Sequence, residues 1–375
     1  MCGRIAKCDV RCTHLHEAAN FNKSMNIVYG VSGEGLGHVF EAIEIITRLR
    51  QEGHNVKVLT YGERACRCLS AFNPTAIEGI HLYFDPKGMS LTATVFKNLR
   101  IFPYYLRNWG RLKRELGDFK PDVFVTAYEP FSMVASHIIG KPLISMDNQN
   151  ELLYIRAPAG TNMFAFWLAQ LATRVCTYGA THYIVKSFNR RKSEGDRVRF
   201  VSPIIQNEIR RETPVVGSHV LVYLTKPNPE LINVLKSMDE TFVVYCNNRV
   251  GEDGNLTYRA QGPTYVRDLA SCKAIIGTTG FSLIADSIFL KKPYYGVPLR
   301  KQFEQTHNAH FLAESGLGEY SESISRQEIE RFLSKLPTYR ERLAAYDLDP
   351  AEQEETLLEL LRRMGSPAAV PVGAS

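Results

Sequence analysis

Apolar residues along this chain come in short runs separated by longer amphipathic stretches. The runs "NIVYGVS" (26–32), "NVKVLTYG" (55–62), "IHLYF" (80–84), "PDVFVTAY" (121–128), "PLISMD" (142–147) and "THYIVKS" (181–187) are β-branched or aromatic and are punctuated by Gly, Pro or Asp. Such runs predict buried strands. Between the first two, Val39, Ala42, Ile43, Ile46 and Leu49 recur at helical spacing, and Gly53 ends that helix. Strand, helix and strand in succession predict a parallel sheet with right-handed crossovers. The pattern pauses between Pro203 and Gly217 and then restarts with "HVLVYLT" (219–225), "TFVVYC" (241–246), "KAIIGTTG" (273–280) and "PYYGVPL" (293–299). The expected architecture is α/β: two doubly wound, Rossmann-like domains facing each other across a cleft, with ligands at the carboxyl ends of the strands. The expected boundaries are a flexible extension over 1–24, a first domain over 25–205, a linker over 206–217 and a second domain over 218–340. Residues 341–375 are expected to be a C-terminal helix and a disordered tail, after the amphipathic stretches "SRQEIERFLSKL" and "EQEETLLELLRRM".

Composition narrows the classes. At 375 residues and 45% hydrophobic content, each half can bury a core. No apolar run reaches the roughly 18 residues of a membrane span, and the first 24 residues lack the apolar centre of a secretory signal. A formal charge of +6 permits anionic partners such as nucleotide phosphates or a membrane surface but is too weak to argue for nucleic acid. Eight cysteines without a signal read as reduced thiols. Cys2, Cys8, Cys12, His14 and His16 match no standard metal spacing, and they precede Met25, where the first strand begins.

Candidate chemistry sits where strands end. In "YGVSGEGLGHVFEA", Gly30, Gly33, Gly35 and Gly37 lead to His38 at a helix start. A dinucleotide fingerprint fails because His38 stands at its third glycine, and a phosphate-binding P-loop fails because no Gly-Lys-Ser/Thr follows. What remains is a tight turn, or a loop that lets a substrate approach the backbone closely, with His38 either capping the helix or serving as a base. The helix N-terminus is expected to lower the His38 pKa and keep it neutral. In "GTTGFSLIADSIFLKKPYYGVPLRKQFEQTHNAHF", a strand ends at Thr278, Thr279 and Gly280, and a helix opens at Phe281 and Ser282. Free N–H groups and the Thr279 and Ser282 hydroxyls are then expected to face a phosphate. Asp286, one turn on, has the chemistry to take two ribose hydroxyls, and Glu304, Gln305 and Asn308 can hydrogen-bond a sugar.

Together these motifs resemble the nucleotide-sugar glycosyltransferases of GT-B fold. The nearest likeness is to the lipid-II-forming N-acetylglucosaminyltransferase of peptidoglycan synthesis and a related archaeal and bacterial family. The resemblance rests on "GEGLGH" (33–38), "AYEP" (127–130), "DNQ" (147–149), "GFS" (280–282) and "QFEQTHNA" (302–309), in that order over roughly residues 25 to 320. It implies a donor on the second domain, its diphosphate near Thr279 to Ser282, its ribose on Asp286 and its sugar near Glu304 and Gln305. It implies an acceptor on the first domain, with His38 as base and Gly35 and Gly37 admitting the substrates. Ala127 stands where the family often has Asp, which leaves Glu129 or Asp147 as the carboxylate for His38. Asp286 replaces the commoner Glu.

A retaining branch of the fold carries two glutamates eight positions apart, and eight before Asp286 is Thr278. The expected chemistry is therefore one in-line, inverting displacement, with helix-end N–H groups in place of a metal. No metal and no separate cofactor are expected, and by resemblance the donor is a UDP-sugar. Two alternatives stand beside this: a nucleotide-sugar 2-epimerase, and a non-catalytic binder of nucleotide sugars or glycolipids. The stretch "VFKNLRIFPYYLRNWGRLKRELG" interleaves Phe102, Tyr104, Tyr105 and Trp109 with Arg107 and further cations. It reads as a core-packed helix with a solvated basic face, or as a contact with anionic lipid that would suit a lipid-linked acceptor. "FDPKG" (84–88) and the segment up to Phe102 are expected to form a mobile loop, "NRRKSEGDRVR" (189–199) a solvated one, and the apolar stretch after Glu151 a buried helix. The expected location is cytoplasmic, with a peripheral position on the inner membrane face as an extension of the lipid reading.

Overall fold

The computed structural model describes residues 24–34, 36–81, 83–85, 88–89, 96–99, 101–157, 163–189, 191, 193, 195–299, 302–321 and 323–365. The cysteine-containing extension and residues 366–375 lie outside the described residues, as does Gly35. The first sheet is built from β1 (Asn26–Val31), β2 (Asn55–Thr60), β3 (Thr75–Ala76), β6 (Val123–Ala127), β7 (Leu143–Asp147), β8 (His182–Lys186) and β9 (Val198–Val201). Its spatial order is β3-β2-β1-β6-β7-β8-β9, and every pairing in it is parallel. The second sheet holds β10 (Val220–Leu224), β11 (Phe242–Cys246), β12 (Gly251–Asp253), β13 (Leu256–Tyr258), β14 (Ala274–Gly277), β15 (Tyr294–Gly296) and β16 (Gly318–Tyr320), in the order β12-β13-β11-β10-β14-β15-β16. Its pairings are parallel except for the β12–β13 edge. Both sheets reverse strand order once, between β1 and β6 and between β10 and β14. Those reversals open crevices at the carboxyl ends of the strands.

The helices around the first sheet are α1 (Gly37–Gln51), α2 (Glu63–Cys68), α3 (Ile101–Phe119), α4 (Pro130–Ile139) and α5 (Met163–Cys176). The chain then runs through α6 (Asn207–Arg210) into the second half: α7 (Pro229–Lys236), α8 (Pro263–Ser271), α9 (Phe281–Phe289), α10 (Phe303–Glu314), α11 (Arg326–Ser334) and α12 (Leu336–Ala345). Local chemistry sets several ends. Gly53 takes φ 86° just past α1. Glu129 caps α4, Pro130 follows at its first turn, and Gly140 closes it in the left-handed region.

The last helix, α13 (Glu352–Gly365), returns to the first sheet. Its Leu357, Leu358, Leu360 and Leu361 are buried in the core formed by α1 and the inner strands. Arg199 of β9 meets Glu359 at 3.2 Å, and the Ser202 N–H donates to Glu352. The C-terminal helix is thus core material of the first half.

One expected strand is replaced, and two expected loops hold regular structure in part. "IHLYF" is not a sheet strand: the sheet edge is β3 at Thr75–Ala76, and Phe84–Asp85 (β4) pairs only with Gly88–Met89 (β5) in a two-stranded hairpin. An apolar run near a turn reads alike in either setting. The expected loop up to Phe102 contains that hairpin, a helical turn at 96–98 and the start of α3, while residues 90–95 lie outside the described residues. The charge run over 189–199 ends within β9, whose polar flank hid its start.

Candidate active site in the interdomain cleft

The first half contributes four ionisable groups from three adjoining elements. His38 is the second residue of α1, and Glu41 follows one turn later. Asp147 ends β7, and Lys186 ends the neighbouring β8. His38 Nδ1 lies 3.2 Å from Asp147 Oδ2. The two atoms are close enough to pair but poorly aligned, and neither has another hydrogen-bond partner among the described residues. Asp147 is fully buried and its Oδ1 accepts from the Gln149 N–H at 2.9 Å. The Lys186 ammonium, 1% exposed, donates to Glu41 Oε2.

Electrostatics follow from this packing. Burial pulls the His38 imidazole below its ordinary 6.5, as Lys186 does, but the Asp147 carboxylate, with help from Glu41, outweighs both. His38 is therefore held above 6.5, opposite to the lowering expected from the helix N-terminus. Burial pushes Asp147 up, yet His38 and Lys186 hold its carboxyl below 3.8. Burial opposes the charge on Lys186, and Glu41 and Asp147 restore it, leaving its pKa raised. A half-buried base carrying Nδ1–H toward Asp147 would leave Nε2 free to take a proton.

Glu129, the other carboxylate considered for His38, serves elsewhere. Its oxygens accept from the Phe131 and Ser132 N–H groups and from Ser132 Oγ at the start of α4. Burial raises it to about 7 against those three bonds.

The second half meets this cluster directly. α9 starts at Phe281 after Gly280, and no side chain caps it. α1 likewise has no side-chain cap. A Cβ on Gly37 would sit 2.8 Å from Ser282 Oγ, so the two uncapped helix starts nearly touch. Open N–H groups at helix starts are of the kind that attract anions. Ser282 Oγ, expected to face a phosphate, donates to Glu41 Oε1 at 3.2 Å across the cleft. Nearby, Asn148 Nδ2 and Gln149 Nε2 donate to the Glu304 carboxylate at 2.9 and 3.1 Å. Glu304 is raised chiefly by burial. Buried oxygens of Gln149 and Gln302 have no partner among the described residues.

Other expected donor contacts are internal. Thr279 Oγ1 donates to the Gln305 carbonyl at 2.7 Å, and Asn308 Nδ2 donates to the Thr279 carbonyl at 3.0 Å. Gln305 Oε1 accepts the Leu299 N–H at 2.9 Å. Thr278 is buried, and its carbonyl accepts from Tyr294. Thr279, Gln305 and Asn308 thus brace the loop after β14 against α10 instead of facing solvent. Asp286 does lie one turn past Ser282, but it is buried, only 5% exposed. Burial, then Glu41, pushes its carboxyl well above 3.8, which favours the protonated form.

The aromatic α3 mostly packs inward. Tyr105 stacks on Phe131 at 4.8 Å and donates to the Glu78 carbonyl, and Trp109 also meets Phe131. Tyr104 is half-buried, Arg107 is exposed, and the Phe102 side chain lies outside the described residues. Among those residues no three His, Cys, Asp or Glu side chains gather as a metal site requires, no helix is long and apolar enough to cross a membrane, and five cysteines are free. Sequence reasoning missed Glu41 and Lys186, and it gave no role to Asn148, Gln149 and Gln302, although they stand in the "DNQ" and "QFEQTHNA" motifs. The signals available were Glu41 three residues after His38 on one helical face, and a lysine closing an apolar strand.

The family model described as glycosyl transferase family 1 matches residues 25–337, most of the chain. The chain belongs to glycosyl transferase family 1. Solved structures share its fold at low identity. Arabidopsis thaliana UGT89C1 complexed with UDP-L-rhamnose has a TM-score of 0.66 at 13% identity, covering 91% of this chain and 99% of its own. The glycotransferase of kitacinnamycin scores 0.64 at 16% identity, over 91% and 99%. The calicheamicin glycosyltransferase CalG4 scores 0.63 at 16% identity, over 93% and 100%. No curated protein matches the chain. This family 1 member has the GT-B fold, two Rossmann-like parallel-sheet halves about a cleft.

Proposed function

We propose that this protein transfers a sugar from a nucleoside diphosphate sugar, a UDP-sugar first, to a hydroxyl acceptor by metal-independent inverting displacement. The observation that carries the reading is the His38–Asp147 pair facing the uncapped start of α9 across the cleft. In this reading His38, its Nδ1–H directed to Asp147, takes the acceptor proton at Nε2. The acceptor oxygen forms a bond to the anomeric carbon as the bond to the diphosphate breaks. The negative charge gathering on the diphosphate is met by the helix-end N–H groups near Gly37, Phe281 and Ser282. Ser282 reaches that phosphate once it leaves Glu41, and Gln149, Gln302 and Glu304 line the sugar's side. Asp286, buried one turn past Ser282, is the ribose candidate. The first half, 25–205, takes the acceptor and the second, 218–340, the donor. The likeness to the lipid-II-forming enzyme makes a lipid-linked acceptor, met at the inner membrane face, the first to try. The UDP-L-rhamnose held by the Arabidopsis neighbour supports the donor class.

The test is a panel of UDP-, GDP- and dTDP-sugars, read as nucleoside diphosphate release, with nucleotide-induced melting shifts in parallel. One donor class should bind and turn over without magnesium, and His38→Ala should lose turnover while keeping the melting shift. Binding with no dependence of turnover on His38, or no nucleotide binding at all, overturns the reading.

A further inference from the structure

Helix α5, expected to be buried, carries a surface the fold does not use. Its inner side is occupied: Phe166 is buried and packs against Phe303 of α10 with ring centroids 5.2 Å apart, and Thr173 and Cys176 are buried. Its outer side is apolar. Phe164, Trp167, Leu171 and Val175, with Tyr178 just beyond, are between 56% and 69% exposed. Steps of three and four residues put them in one stripe. The outer face of α4 adds Val134 and Ile138, one turn apart, and His137 stacks on Tyr178 at 5.7 Å to join the two helices.

A helix side facing water is ordinarily charged. Arg174 is the only charged residue in α5, and α4 contains no acid. Next to α4, helix α3 exposes Arg107, Arg111, Lys113 and Arg114. Across these three helices five cations stand against two acids, Glu115 and Asp118. The stripe also begins at the cleft, because α5 touches α10 through Phe303, the residue before Glu304. A second copy of the chain is a poor occupant, since a two-fold interface would bring these cations toward one another.

We infer that α5, with α4 and the basic α3 beside it, docks this protein on an anionic bilayer and sets the cleft mouth at the membrane surface. Apolar side chains enter the headgroup boundary while Arg and Lys meet lipid phosphates, and Trp167 and Tyr178 suit that boundary by having both apolar and polar parts. The benefit to catalysis rests on the lipid-linked form of the proposed function; the docking itself does not.

Flotation of the full chain with phosphatidylcholine vesicles, with and without phosphatidylglycerol, tests this. The protein should float with the anionic vesicles, less so at high salt. Trp167→Glu/Leu171→Glu should cut that binding by at least about tenfold, the loss expected from two buried apolar side chains, with melting temperature and nucleotide-induced shift unchanged. Arg111→Glu/Arg114→Glu should weaken it too, and should abolish the preference for anionic vesicles. Failure to float, unchanged flotation after the Trp167 and Leu171 substitutions, or a dimer that those substitutions dissolve would overturn the inference. A protein that floats but binds no nucleotide sugar sustains the docking and removes the transfer reading. One that transfers sugar but does not float does the reverse.

Discussion

Replacing Asp147 by Asn is the sharpest perturbation of the proposed chemistry. At 3.2 Å, and with an effective dielectric constant of about 20, the His38–Asp147 attraction is worth about 5 kcal/mol before burial is set against it. Burial of the imidazole opposes that attraction, and the net result is a His38 raised above 6.5. Asn keeps the shape, and its oxygen can still accept the Gln149 N–H held at 2.9 Å. It removes the charge and can present an N–H to Nδ1, which then becomes an acceptor and moves the ring proton to Nε2. The base nitrogen is lost. The His38 pKa should drop, because burial and Lys186 then act without the opposing Asp147 charge, and turnover should fall by about 10²–10⁴-fold, the usual worth of a general base. The assay is kcat and kcat/KM against pH, with melting shifts by UDP to confirm that the donor side is intact. The wild-type acid limb should lie above pH 6.5, because activity needs the deprotonated ring. If Asp147→Asn keeps turnover within about threefold and leaves the acid limb in place, His38 is not a base oriented by Asp147.

Further expectations follow from the same contacts. His38 is faced by Asp147 from β7, Lys186 from β8, Glu41 from its own helix and Glu304 from α10. Lys186→Met should move the acid limb up and Glu41→Gln should move it down, whereas a purely structural pair would not give opposite shifts; pH–rate profiles of the two variants and of the double variant decide. Folding raises Glu129 from 4.5 to about 7, so the native chain holds a proton that the unfolded chain has released, and this group's contribution makes stability decline as pH rises from about 4.5 to about 7. Glu129→Gln should flatten that part of the melting temperature against pH. Gly37→Ala places a Cβ 2.8 Å from Ser282 Oγ and should raise the donor KM severalfold with little change in melting temperature, which steady-state kinetics and a melting curve would check. Thr279→Val leaves the buried Gln305 carbonyl without its hydroxyl donor and should destabilise by about 1–3 kcal/mol in denaturant unfolding.

The part of the architecture legible from residue order is the part that local patterns encode. Runs such as Val123–Ala127 and Leu143–Asp147 are mostly apolar on both alternating faces, as strands covered on both sides require, and every position in them is buried. Their alternation with helices implied two parallel sheets, and the glycine-rich turns put His38 and Ser282 at helix starts. The tertiary structure decided which groups share the cleft. Asp147 and Lys186 reach His38 because β7 and β8 run side by side in parallel register and end together, and Glu129, only two residues beyond β6, is drawn into capping α4. The direction of the His38 pKa likewise depends on burial and on a carboxylate about a hundred residues away. Thr279, Gln305 and Asn308 look like ligand contacts in sequence, but the packing of α10 against the loop after β14 pairs them with one another. For α5 the limit was of another kind. Periodicity reveals an apolar stripe without saying what covers it, and only the packed structure leaves Trp167 and Leu171 outside the protein core, because α10 and the turn at Gln149–Leu153 already occupy the helix's other side.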